Sequence, residues 1–280
     1  MVKKFVYGTP FETEAVVKEI PSSEGNPDYG TFSTENGFSF TTKLADEDMV
    51  FGLGEANRGI NKRGFLYISD CADDPNHVES KTSLYAAHNF IIISGKTHVG
   101  FFFDYPGTLR FDIGYTTSDT MTVSCENADL YVYMITGDSD LDIVKQFRGI
   151  IGRSYIAPKF AFGYGQSRWG YKTEDDFRTV VKKYRENHVP LDMVYMDIDY
   201  MQDYKDFTVN EERFPDFEGF VQDMKKEKIH LVPIIDAGVK VERIMTFTKR
   251  AVKKATSAAV RMDPTSKLLY GRAGLISRMS

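Results

Sequence analysis

The sequence predicts an antiparallel β-sandwich over residues 1 to about 150, followed by the opening of a parallel βα architecture over residues 155 to about 240. Three observations carry this. Short apolar runs separated by turn residues fill the first half, as in sandwiches. After Ser154 the hydrophobic period lengthens to that of a helix and alternates with continuous apolar runs, the pattern of βα units. One such run, Leu191-Asp192-Met193-Val194-Tyr195-Met196, ends abruptly in Asp197 and Asp199. A buried parallel strand reads this way, with its chemistry at the carboxyl end.

In the first part, Ile91-Ile92-Ile93-Ser94, the turn Gly95-Lys96 and Val99-Gly100-Phe101-Phe102-Phe103 spell a hairpin. Residues 108–113, 120–124 and 130–135 repeat the theme. In the second part, residues 160–165 are expected to form a strand. Thr173 with Asp176 three residues on resembles an N-cap with an acidic first turn. Phe177, Val180, Val181 and Tyr184 recur at i, i+3, i+4 and i+7, one helix face. The strand beyond Pro190 follows, then a helical stretch over 217–228. His230-Leu231-Val232-Pro233-Ile234-Ile235-Asp236 is a third strand ending in an acid. Three strands are too few to close a barrel of eight.

Bulk properties exclude several classes. The 280 residues suffice for one large or two ordinary domains, and the net charge of -5 weighs against a nucleic-acid partner. The N-terminus lacks the apolar core of a signal peptide, and no apolar run approaches the roughly 20 residues that span a bilayer, so no membrane partner is expected. Cys71 and Cys125 lack metal-ligand spacing and read as buried free thiols in a reducing compartment. His77, His88, His98, His188 and His230 show no metal spacing either and are assigned no catalytic role. The expectation is a soluble cytoplasmic protein; nothing indicates its oligomeric state.

From Arg243 to Ser280 the chain holds nine Lys/Arg and one acid, against 26 basic and 39 acidic residues before it. The net charge thus switches from -13 to +8. The stretch has no clean period. It reads as a basic surface-binding segment or as sequence foreign to the protein.

The middle of the chain resembles glycoside hydrolase family 31, the α-glucosidases and their relatives. The resemblance rests on Ala157-Pro158-Lys159-Phe160-Ala161-Phe162-Gly163-Tyr164-Gly165-Gln166-Ser167-Arg168-Trp169-Gly170-Tyr171, on Met196-Asp197-Ile198-Asp199-Tyr200-Met201 with Asp206-Phe207-Thr208 and Phe214-Pro215, and on Val232-Pro233-Ile234-Ile235-Asp236. Upstream, Phe51-Gly52-Leu53-Gly54-Glu55 looks like the family's sandwich motif. The resemblance implies a β-sandwich followed by a (β/α)8 TIM barrel, here truncated to the first βα units. It implies retaining hydrolysis of short α-linked gluco-oligosaccharides by two Asp residues, with no cofactor and no metal. The family's W-x-D-M-N-E type nucleophile motif and its acid/base are absent from the 280 residues. This chain is therefore assigned no catalytic residue and is expected to be inactive. The alternative is a non-catalytic carbohydrate-binding or scaffold fragment. Read in a shifted frame, Lys267 to Ser280 permits a V-W-P-G-x-x-x-F-P-D type stretch that the family carries at this point. The basic tail, 243–280, is accordingly expected to be an out-of-frame translation.

The resemblance also implies a substrate-binding set. Asp197 would bind glycone hydroxyls in the -1 subsite, since a carboxylate accepts two charge-assisted hydrogen bonds from a diol. It would otherwise be a helix N-cap. Ile198 would be an apolar wall of the same pocket, and Asp199 a second pocket acid or a structural partner in the loop. Trp169 would wall the sugar site with its indole or pack in a core, with Arg168 beside it as an ion-pair partner. Ile234 and Asp236 would floor the pocket. Asp73, or its neighbour Asp74, would reach the +1 subsite from a sandwich loop or simply form a polar turn. Trp169, Asp197 and Ile234 are expected to cluster at the carboxyl ends of adjacent strands.

Overall fold

The computed structural model describes residues 1–25, 27–71 and 74–236; Asp73 and the basic tail lie outside these. The chain divides after Ser154 into two compact units.

The first unit is built of two five-stranded sheets. One runs in the order β1 (Val2–Tyr7), β10 (Leu130–Gly137), β7 (His98–Asp104), β6 (Phe90–Ser94) and β4 (Met49–Gly52). The other runs β2 (Thr31–Ser33), β3 (Phe38–Lys43), β9 (Thr120–Cys125), β8 (Leu109–Ile113) and β5 (Phe65–Ser69). Every neighbouring pair is antiparallel. The predicted hairpin forms, with Ile91 opposite Phe101 and Ile93 opposite Val99. Its alternate residues Ile91, Ile93, Phe101 and Phe103 join Phe38, Phe40 and Phe111 in one aromatic-rich core. Burying each such side chain contributes about 1.5–3 kcal/mol.

Strand β10 is buried on both faces, which is why its sequence is an unbroken apolar run. Leu130, Val132 and Met134 enter the main core. Tyr131, Tyr133 and Ile135 pack against Ile143 and Ile150 of an α-helix, α1 (Asp140–Ile151). The sequence reading of an all-strand first part did not include this helix. Its signals are ordinary ones: Ser139 caps the Asp142 amide, and Asp140 and Asp142 place negative charge in the first turn. Phe147 stacks on Phe90 at 3.9 Å between ring centroids, completing a second core.

The expectation of buried thiols fails for Cys71, which is exposed in the loop beyond β5. Cys125, at the end of β9, is half-buried, and burial pushes its thiol up to about 11.

The second unit holds a parallel sheet in chain order, β11 (Gly165–Gln166), β12 (Met193–Met196) and β13 (His230–Pro233). The helices α2 (Glu174–Glu186) and α3 (Phe217–Lys226) link them. Val194 and Met196 pack against Phe177 and Val181 of α2 and Phe220 and Met224 of α3. Met193 and Tyr195, of opposite parity, belong to the other face. At its head α2 carries a complete capping box, in which Thr173 accepts from the Asp176 amide and Asp176 accepts from the Thr173 amide.

The strand expected over 160–165 is mostly absent. Lys159–Phe162 is a 3-10 turn, and only Gly165–Gln166 pairs with β12. Asp192 is the cause. Its carboxylate accepts the Tyr164 amide at 3.2 Å and fills the place where a Cβ of Gly163 would stand. The chain before Tyr164 is thereby turned off the sheet, and Phe160 stacks on His230 at 3.6 Å.

Candidate functional site at the carboxyl end of the parallel sheet

Strand β12 ends at Met196, and Asp197 is the next residue. Its Oδ1 accepts the Ile198 amide at 2.7 Å and caps a 3-10 turn, Ile198–Tyr200. The capping alternative is thus realised, while Asp197 remains half-buried at the strand end. Ile198 packs against the core of this unit. Asp199 is 2% exposed. Arg213 faces it, with Nη1 3.6 Å from Oδ1, and donates to the Asp199 carbonyl at 2.7 Å. Asp199 thus has Arg213 as a partner in the loop.

Two hydrogen bonds carry the third strand's end to the second's. The Ile234 amide donates to the Met196 carbonyl at 2.9 Å, and the Tyr200 hydroxyl donates to the Ile234 carbonyl at 3.0 Å. Asp236 is fixed by its amide, which donates to Asp206 Oδ1 at 2.9 Å. The loop supplying Asp206 is tightly turned: Asp203, Tyr204 and Phe207 all take positive φ. Thr208 Oγ1 accepts from the Gln202 amide at 2.9 Å and donates to the Lys205 carbonyl at 2.6 Å, closing it. Asp-Phe-Thr is thus a loop clamp with a buried acid at its head.

Asp197 and Asp206 both act electrostatically on Asp236. Burial first, then the charges of Asp206 and Asp197, raise the Asp236 carboxyl above the usual range. Burial, with Asp206 and Asp236, likewise raises the Tyr200 phenol. The structure therefore brings together Asp197, Ile234 and Asp236, the last two exposed at the strand end.

Trp169 stands in the loop after β11, at the same end of the sheet, and is 71% exposed. Among the described residues, no hydrogen bond, ion pair or ring contact joins it to Asp197 or Ile234, and none pairs Arg168 with an acid. Asp73 lies outside the described residues. Asp74 accepts from the Asn76 amide at 3.0 Å and pairs with Lys81 at 2.9 Å, a capped polar turn. Among the described residues, no group of His, Cys, Asp and Glu is arranged to hold a metal ion.

Asp206, Tyr200 and Arg213 were not singled out from sequence. Asp206 and Tyr200 stood inside quoted motifs, yet no periodicity marks an acid in a loop as buried. Carboxyl groups at one strand end suit hydroxyl recognition, since a carboxylate accepts charge-assisted hydrogen bonds from neutral polar groups.

Comparison with known proteins bears on the family and the fold. The family profile "Glycosyl hydrolases family 31 TIM-barrel domain" matches residues 154–273. The profile "Glycosyl hydrolase 31 N-terminal galactose mutarotase-like domain" matches residues 10–112. Alpha-glucosidase 2 of Bacillus thermoamyloliquefaciens is 35% identical over 203 residues, 71% of this chain and 25% of that protein. Glucoamylase 1 of Candida albicans is 32% identical over 227 residues, 79% of this chain and 23% of that protein. The chain therefore spans about a quarter of the length of these curated relatives. Among solved structures, a Flavobacterium johnsoniae family 31 dextranase complexed with isomaltotriose superposes with a TM-score of 0.70 at 24% identity. It covers 81% of this chain and 27% of that one, a likeness of fold. With both profiles in the family's order, on a sandwich followed by the first strands of a barrel, the chain belongs to glycosyl hydrolase family 31.

Proposed function

We propose that this chain is the sandwich and early-barrel portion of a retaining α-glucosidase, which removes terminal α-linked glucose from short oligosaccharides. The observation that carries the reading is the placement of Asp197 and Asp236 at the carboxyl ends of adjacent parallel strands, where barrels of this type bind substrate. The names of the relatives, an alpha-glucosidase and a glucoamylase, support it. Asp197 is the acceptor for glycone hydroxyls, with Ile234 and Asp236 as the pocket floor and Trp169 as a wall.

In this reading the 280 residues alone do not turn over substrate. Retaining hydrolysis needs a nucleophile and a proton donor about 5 Å apart across the glycosidic bond. The described residues provide the binding acids, and the sequence holds no W-x-D-M-N-E type motif. The basic tail is proposed to be an out-of-frame reading of the segment that would lead to it.

Two measurements test this. Calorimetric titration with maltose or isomaltotriose is expected to show binding that weakens about 10- to 100-fold in Asp197→Asn, the loss of charge-assisted hydrogen bonds. Equal affinity in parent and variant refutes the site. Purified chain is expected to leave an aryl α-glucoside intact, whereas restoring the reading frame after Glu242 yields turnover. Activity of the unaltered chain that persists through repurification refutes the assignment of chemistry to residues outside it.

A further inference from the structure

The hairpin that joins β2 to β3 turns through Thr34-Glu35-Asn36-Gly37, and this is the one Asn-Gly pair in the sequence. Asn36 is exposed. Among the described residues, no hydrogen bond engages its side chain, and none engages the Gly37 backbone amide. Every other asparagine among the described residues has its side-chain amide group in a hydrogen bond. Asn57 Nδ2 donates to the Val78 carbonyl at 2.8 Å, for example, and Asn187 Nδ2 to the Lys183 carbonyl at 2.8 Å. None of these is followed by glycine. Gly37 is required on other grounds. Its φ is +80°, and a Cβ there would lie 2.4 Å from the Cys125 carbonyl oxygen and 2.7 Å from that of Glu126. The close approach of the turn to the end of β9 therefore places a glycine after a side chain that nothing holds.

We propose that Asn36 is a site of spontaneous modification, at which the Gly37 backbone nitrogen closes a succinimide ring on the Asn36 side chain. The bond from Gly37 N to Asn36 Cγ forms, the Cγ–Nδ2 bond breaks, and Nδ2 leaves as ammonia with the proton that Gly37 N gives up. Water then opens the ring at one of its two carbonyls. Opening at one leaves an aspartate on an unchanged backbone. Opening at the other leaves an isoaspartate, in which the main chain runs through the former side chain. The attack needs a side chain free to swing and a nitrogen with no bulk beside it, and this turn supplies both. The consequence falls on β2, a three-residue edge strand flanked by β3. Its Phe32 rests on Tyr7 and Phe40, with ring centroids 5.3 and 4.7 Å away. An isoaspartate adds one backbone methylene inside the turn and works against the register that sets Ser33 opposite Ser39.

Peptide mapping by mass spectrometry of the purified full chain, incubated at neutral and at mildly alkaline pH, reads the reaction. Asn36 is expected to convert to a mixture of aspartate and isoaspartate ahead of every other described asparagine. Conversion is expected to be faster at the higher pH, because the attacking amide must lose its proton, and to run at a similar rate in the native chain and in urea. Asn36→Gln, whose side chain would have to close a larger ring, is expected to stop ammonia loss at this position. Earlier conversion at another described asparagine overturns the proposal. So does conversion at Asn36 about tenfold slower in the native chain than in urea, which would mean that the turn must first open. Native-state hydrogen exchange reads the consequence. Amides of β2 are expected to lose protection in the aged chain and to keep it in Asn36→Asp, which adds the charge without the methylene. Equal protection in aged and fresh chain overturns the effect on β2, and a loss in Asn36→Asp as large as in the aged chain overturns its assignment to the lengthened backbone.

Discussion

Replacing Arg213 with methionine removes the cation that faces Asp199 while keeping most of the apolar stem. Asp199 is 2% exposed, its Oδ2 has no hydrogen-bond partner, and Arg213 lies 3.6 Å from its Oδ1. Breaking a buried pair by removing one partner costs about 3–5 kcal/mol. The Arg213 side chain is 35% exposed, so water partly replaces it. The expected loss is therefore at the low end, about 3 kcal/mol. The same guanidinium holds the Asp199 carbonyl, so the effect concentrates on the segment from Asp197 to Arg213 and on the elements it joins. Native-state hydrogen exchange reads this locally. Amides of β12 and α3 are expected to exchange about 100-fold faster, while those of β10 in the first unit are unchanged. Adding Asp199→Asn to Arg213→Met should restore part of the protection, because the unpaired charge is then gone. A change below about threefold in the single variant, as for an exposed pair, would refute the reasoning. So would a double variant less protected than the single one.

Other substitutions probe the scaffold. Ile143→Ala, at a fully buried position of α1, should cost about 2–5 kcal/mol in urea unfolding of the first unit. Gly100→Ala places a Cβ 2.5 Å from Ile143 Cγ2 and should cost about 1–3 kcal/mol in the same unfolding measurement. Thr173→Ala removes the capping box of α2 and should cost about 1 kcal/mol, read as faster exchange of its first turn. Asp112 tests pH dependence. Burial alone would raise its carboxyl, but the Thr116 hydroxyl, the Thr116 and Tyr115 amides and Arg110 outweigh burial and hold it below the usual range. The stability it contributes is present above the unfolded carboxyl's midpoint and is lost as pH falls through the lower folded one. Asp112→Asn should therefore flatten the acid limb of the stability profile, and an unchanged limb would count against this account.

Local pattern alone determined the strands of the sandwich core, the α2 face of Phe177 and Val181, and the strand that stops at Asp197. In each, the side-chain period matches the period of the element, so burial on one face is written along the chain. The alternation of strand and helix after Ser154 was legible for the same reason, whereas the family motifs were legible only as a resemblance. Tertiary structure decided the rest. Helix α1 exists to cover the second face of β10, a demand visible only when the sheet is assembled. The strand expected at residues 160–165 gave way to a 3-10 turn because Asp192, distant in sequence, takes the Tyr164 amide and the space beside Gly163. Cys71 is exposed because its loop, not its chemistry, sets its surroundings. At the site, the sequence supplied Asp197, Ile234 and Asp236, which close apolar runs. It was silent on the partners that give them their character. Arg213 opposite Asp199 and Asp206 beneath the Asp236 amide are loop residues brought in across 14 and 30 positions, and no periodicity records a contact made by a loop folding back on a strand end.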